Sequence, residues 1–248
     1  MKEWLCFLVA LFFLWSCNKP NAPDCFQKAG DPALESRTLR APVTRIELTE
    51  HIHLQLSNPD GQEPHVIVEA PENLLPEIIT ALDDQGVLTL RNDNTCNFMR
   101  RYDHLIRVTY VGPLEHVINR GTGDLTSTEA LTTSVFELEN RDASGVIHLD
   151  FAGAESVIVK DHTGVGEVTL TGTTDVLELF NQGWGPLDAS GLVATTALTN
   201  NNSINVLRVR ASDYVYTEIN GPGNTEVFGN PGFIDVLDLG DGEVIEVN

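Results

Sequence analysis

Asn or Asp recurs at near-constant spacing through the second half of this chain: Asn119, Asn140, Asp161, Asn181, Asn201, Asn220 and Asp241, at steps of 21, 21, 20, 20, 19 and 21 residues. A period near twenty is the signature of a solenoid, in which each repeat is one coil stacked on its neighbour. Each marker closes a short run such as Phe136-Glu137-Leu138-Glu139 or Val176-Leu177-Glu178-Leu179-Phe180. These runs are too short and too rich in β-formers for helices. Glycines follow most markers, among them Gly121, Gly123, Gly145, Gly166, Gly185 and Gly242, and glycine permits the positive φ of a tight corner. A second strand then starts in each coil, as at Ile147 with Leu149 and Val168 with Leu170.

Strand alternation places every second side chain inside. Two residues before the markers stand Val117, Leu138, Val159, Leu179 and Leu239, a column of inward apolar residues. Thr199 and Glu218 break the phase. Moving the first marker to Asn200, preceded by Leu198, restores it; the second requires a bulge or a one-residue slip. No segment after Gly121 has helical spacing. The fold class is therefore all-β, a parallel β-helix of about 20-residue coils, right-handed because parallel crossovers nearly always are. Stacked amides have the geometry to hydrogen-bond up the ladder. The alternative is that Asn and Asp simply suit corners, and both readings imply the same fold.

Residues 1–16 read as a signal peptide, with Lys2 before the apolar run Trp4–Leu14, which is too short to span a bilayer comfortably. The run ends in Leu14-Trp15-Ser16-Cys17, so Cys17 is the expected lipidation site, although Trp15 is bulkier than a lipobox usually carries. Residues 17–42, rich in Pro, Asn, Ala and Asp, form a tether. Residues 43–118 are β-rich, with strand words at Arg45–Leu56, His65–Ala70, Gly86–Arg91 and Leu105–Val111, and they either start the solenoid or cap its open end. Residues 119–248 carry the repeats. Removing Cys6 with the signal and Cys17 with the lipid leaves Cys25 and Cys96, an even pair that suggests one disulfide in an exported protein. The formal net charge of −21 repels nucleic acid and anionic headgroups and suits an extracytoplasmic domain.

Three features carry a family resemblance: Gly121-Thr122-Gly123-Asp124-Leu125 with its recurring Gly/Asn corners, Val66-Ile67-Val68-Glu69-Ala70-Pro71-Glu72-Asn73-Leu74-Leu75, and the opening strand Thr44-Arg45-Ile46-Glu47-Leu48. Together they resemble the putative auto-transporter adhesin, head GIN domain family, over about Thr44 to Asn248. The resemblance implies a mostly β, solenoid-like fold and an exported, commonly lipid-anchored protein of the Gram-negative envelope. It brings no catalytic residues.

No catalytic set emerges from the residues themselves. Glycoside hydrolysis needs two carboxylates about 5–9.5 Å apart, whereas Asp161 and Asp241 lie four coils apart, about 19 Å at ~4.8 Å per layer. Glu137 and Glu178 are two coils apart and read as solvated outward charges. Arg208 and Arg210 share a strand face without a recognisable carboxylate cluster at equivalent positions. His51 and His53, two apart in one strand, are a zinc-like pair without a third ligand. Asp235, Asp238, Asp241 and Glu243 do not match a calcium loop. No metal or cofactor is expected. Trp184, between Gly183 and Gly185, would stack on a sugar ring if exposed, but apolar rings prefer burial and it is expected to fold back over its corner. The leading expectation is a non-enzymatic envelope protein, held to the membrane by its lipid, whose solenoid face binds glycan or an envelope protein and not nucleic acid. The alternatives are a polysaccharide-cleaving enzyme on the same fold and a purely structural envelope protein. Oligomeric state is not set by the sequence.

Overall fold

The computed structural model describes residues 29–58, 62–95 and 107–247. Cys17, Cys25 and Cys96, and with them the signal, lipidation and disulfide expectations, lie outside the described residues.

Two parallel lanes of strands run the length of the molecule. The first lane is, in spatial order, β6 (Val87–Asn92), β2 (Arg45–Glu50), β8 (His116–Gly121), β10 (Val135–Ala143), the C-terminal halves of β11 (Ile147–Gly164), β12 (Val168–Asn181), β13 (Leu187–Asn201) and β14 (Leu207–Ile219), and then β16 (Phe233–Asp238). The second lane is β7 (Arg107–Val111), β3 (His53–Ser57), β9 (Leu125–Ser127), the N-terminal halves of β11 to β14, β15 (Thr225–Phe228) and β17 (Val244–Val247). The four long strands bend from one lane into the other. In β11, Ile147, Leu149 and Phe151 point inward, then Ala154 at the bend, then Val157, Val159 and Asp161.

The stretch 43–118 both joins the solenoid and caps it. Strands β2–β3 and β6–β7 are two coils of the stack, but in inverted order: β2 lies between β6 and β8. The chain lays down one coil, departs, returns on its far side as β6–β7, and then crosses over to continue with β8. The excursion supplies antiparallel strands. Strand β4 (His65–Pro71) pairs with β7 and with β1 (Pro32–Thr38), and β5 (Ile78–Leu82) pairs with β6, so the last part of the stretch 17–42, expected as tether, belongs instead to the folded cap. They cover an end that would otherwise expose edge strands and core. A 3-10 turn at Leu75–Glu77 follows the Pro71–Leu74 turn. The words at 45–56 form two strands rather than one, because Glu50 adopts φ 61 and turns the corner. His51 therefore sits at that corner and not in a strand.

Inside, one column reads Leu88, Ile46, Val117, Leu138, Val159, Leu179, Thr199 and Thr217, each paired with the next. Phe136 and Phe151, with ring centroids 5.3 Å apart, fill the wider part of the core. Leu239 does not join the column. It is 63 % exposed, and its place is taken by Val236, which pairs with Thr217.

The corner glycines follow a different rule from the one their sequence suggests. Gly123, Gly145 and Gly166 have no positive φ. A Cβ on Gly145 would overlap the Gly123 carbonyl, and one on Gly166 would lie 2.5 Å from the Gly145 oxygen. Successive coils stack backbone on backbone here, and hydrogen is the only substituent that fits.

Candidate functional site

The marker residues form a buried amide column for five coils. Asn119, Asn140, Asp161, Asn181 and Asn201 are each at most 2 % exposed and in direct register. Asn119 Nδ2 donates to Asn140 Oδ1 (3.1 Å), Asn140 Nδ2 to Asp161 Oδ1 (2.6 Å) and Asn181 Nδ2 to Asn201 Oδ1 (3.3 Å). Asn220 and Asp241 lie outside the column. Ile219 pairs with Asn201, and Asp238 with Ile219. The cause is the register shift between β13 and β14: Ser190–Leu192 have no partners on β14 between the pairs Ala189–Val209 and Val193–Arg210. The coil is shortened, and the column step from 201 to 219 is 18 residues instead of 20. Nor does the column shift to Asn200. Leu198 faces outward and Thr199 inward, because Asn201 is fixed by its own hydrogen bonds to the Gly223 carbonyl (3.0 Å) and from the Ser203 amide (3.2 Å).

The outward side of the first lane carries the most developed surface feature. Side chains alternate out of it in two columns. One is Arg45, His116, Glu137, Ile158, Glu178, Leu198 and Tyr216; the other is Glu47, Ile118, Glu139, Lys160, Phe180, Asn200 and Glu218. Across β11 to β14 these form a shallow depression of about 280 Å³, whose apolar floor, with Ile158, Leu198 and the Phe180 and Tyr216 rings, is bordered by Lys160, Glu178, Asn200 and Glu218. His162 braces Phe180, with ring centroids 5.7 Å apart. A second hollow of about 410 Å³ opens at the other end of the strip, lined by Arg45, His116, Glu137 and neighbours. Alternation made these residues outward in the sequence, but only the register brings the two rings onto one surface.

On the wall of this second hollow, His116 and Glu137 lie with Glu139 so that their ligand atoms are all within 4.8 Å of one another. The carboxylates are already engaged. Lys160 Nζ lies 2.5 Å from Glu137, Arg141 bonds Glu139, and His116 Nε2 is 3.3 Å from Glu139. Burial raises the Glu139 carboxyl, but the hydrogen bond from Arg141 and the charges of Arg141, His116 and Lys160 outweigh it and hold the group below its ordinary value. The hydrogen bond to Glu137 raises Lys160. A glycosidase acid must keep its proton at working pH and a lyase base must lose it; both shifts run the opposite way.

The other sequence candidates lie away from this cluster, and the His51 and His53 rings meet edge to face with centroids 5.1 Å apart. His53 Nδ1 is 3.2 Å from Asp124 Oδ2 and accepts from the Asp124 amide, while His51 Nδ1 contacts Thr122 Oγ1 (3.0 Å). Arg208 does have acidic partners at equivalent positions: Glu226 at 2.8 Å and Asp188 at 3.5 Å, on the strands to either side. Asp235, Asp238, Asp241 and Glu243 are all exposed near the last coil. Trp184 does not fold back. It is 64 % exposed on the corner between β12 and β13, beside Val165 and Ile204 of the adjoining corners.

The sequence pattern of the putative auto-transporter adhesin, head GIN domain family matches residues 42–231. The chain belongs to this family. Its architecture also resembles solved members of the same fold. A putative adhesin from Bacteroides fragilis superposes with a TM-score of 0.75 at 19% identity, covering 88% of this chain and 97% of that one. A putative adhesin from Parabacteroides merdae gives 0.69 at 16%, covering 89% and 98%. A putative lipid binding protein from Parabacteroides distasonis gives 0.58 at 17%, covering 88% and 98%. At these identities the likeness establishes the fold. No curated protein matches the chain. Family membership and fold support an adhesin-like role in or outside the cell envelope for this GIN domain.

Proposed function

We propose that this GIN domain is a non-enzymatic, lipid-anchored envelope protein that binds glycan along the outward strip of its first lane. The observation that carries the reading is the β11–β14 depression. Two aromatic rings, Phe180 and Tyr216, stand among Glu178, Asn200 and Glu218. Rings pack on the apolar faces of sugars while carboxylates and amides bond their hydroxyls. The strip repeats every ~4.8 Å, which suits a polymer lying along the axis, and the charge of −21 disfavours anionic ligands. The ion-paired Glu137, Glu139 and Lys160 support display over cleavage. In this mechanism Cys17 carries the lipid, the segment ahead of β1 tethers the domain to the membrane, and the coils present the surface.

The test is to probe immobilised polysaccharides with the intact chain and analyse the supernatant. Retention without new reducing or unsaturated ends is the expected result. Sustained product formation abolished by changing one carboxylate would overturn the reading, and so would retention of envelope proteins but no glycan.

A further inference from the structure

The amide column has a polarity, and that polarity is fixed independently at both ends. At Asn119 the Gly121 amide donates to Oδ1 (3.0 Å), so Nδ2 must face Asn140. At Asn201 the Ser203 amide donates to Oδ1, while Nδ2 faces the carbonyls of Gly223, Asn224 and Asn205. Reversing that amide would set an oxygen against three oxygens. Asn201 Oδ1 therefore requires Asn181 Nδ2, and Asn181 Oδ1 must point up the column to Asp161. From the other end, Asn119 fixes Asn140, which donates to Asp161. Asp161 must accept on one side and donate on the other, and an ionised carboxylate cannot donate. Asn181 Oδ1 is buried and has no donor among the described residues.

We propose that Asp161 is the proton-binding joint of the solenoid, a neutral carboxylic acid that accepts from Asn140 and donates its proton to Asn181. Ionisation leaves oxygen facing oxygen between the β11 and β12 coils. The titratable neighbours do not supply a counter-charge. Glu139, Lys160 and Glu178 project to the outer face, where Glu139 pairs with Arg141 and with His116. His162 stacks on Phe180, and Asp142 and Glu167 lie in exposed corners. Burial, opposed only by the Asn140 bond, pushes the Asp161 carboxyl up to about 6. The joint lies in the strands that carry the depression, since Lys160 and Phe180 immediately precede Asp161 and Asn181.

Because the folded value is raised, the proton stabilises the native state at low pH, and this contribution fades as pH rises from 3.8 to about 6. Two measurements test it on the intact chain. In a carbon-13 NMR titration, the Asp161 carboxyl resonance, assigned by its absence in Asp161→Asn, is expected to have its midpoint near 6. A midpoint at or below about 4, the ordinary aspartate value, overturns the proposal. In equilibrium unfolding, Asp161→Asn supplies a permanent donor. From pH 4 to 7.5 the wild type is expected to lose up to roughly a hundredfold in folding constant relative to that variant. Parallel pH profiles, or a variant less stable than wild type at pH 7.5, would show that the ionised form is the better partner.

Discussion

Replacing Asn140 with Ala removes the middle of the column. Its side chain is fully buried, accepts from Asn119 and donates to Asp161. Truncation leaves the Asn119 amide group and Asp161 Oδ1, both buried, without those partners. Each buried polar group left unmade costs about 1–3 kcal/mol, so the loss is about 2–6 kcal/mol. Asn220→Ala is the control. Asn220 is the same residue type at nearly the same sequence period, but its side chain is half-buried and donates to Glu218 and Asn200 rather than to a column neighbour. Its loss is expected to stay within about 0.5 kcal/mol. For a domain of this size, about 4 kcal/mol corresponds to a melting shift of roughly 8–16 °C. Circular dichroism on heating, with urea unfolding as a check, measures both variants. Equal shifts for the two would refute the register assigned to the column, because only burial and ladder membership distinguish them.

Gly166→Ala and Gly153→Ala separate two roles of glycine by the same unfolding assay. The first faces the Gly145 carbonyl with no room for Cβ and is expected to lose more than about 2 kcal/mol, as overpacking does. The second has φ +77 and open space, so its loss is expected to be about 1 kcal/mol, the ordinary strain of a left-handed residue. Tyr110 is buried, donates to the Pro113 carbonyl (2.9 Å) and is pushed up to about 12 by desolvation. An ultraviolet pH titration is expected to show one phenol lagging the others by roughly two units. Because its folded value is raised, stability falls as pH climbs from 10 to about 12; a Tyr110→Phe variant should lose that component.

The period was legible because one coil is one repeat, and alternation then put Val117, Leu138 and Val159 inside. What failed is physically specific. Counting markers cannot register residues lost at a bend, so Asn220 and Asp241 looked like members of a column that passes through Ile219 and Asp238. A hydrophobic-inside rule favoured Leu198 over Thr199, yet hydrogen bonds from and to Asn201 set the phase. Start of the solenoid and antiparallel cap stayed open alternatives because a strand word such as His65–Ala70 reads alike in either orientation, and the inverted order of β2 and β6 is a long-range fact. The depression was hidden for a similar reason. Phe180 and Tyr216 are 36 residues apart (216 − 180) and meet on one face only through the pairings of β12, β13 and β14. Trp184 was misjudged because its flanking glycines are packed close, Gly183 against the Asp161 carboxyl and Gly185 against the Gly166 carbonyl, which leaves no hollow for the indole to enter.

The central functional claim is that ligand lies along the β11–β14 strip and not on the exposed corner. Affinity for a retained glycan, measured for a Phe180→Ala, Tyr216→Ala double variant and for Trp184→Ala, decides between the two surfaces. Stacking is worth roughly 1 kcal/mol or more per ring, so the double variant is predicted to bind at least about tenfold more weakly, with its melting temperature nearly unchanged and Trp184→Ala matching wild type. Full affinity in the double variant, or loss confined to Trp184→Ala, would contradict it.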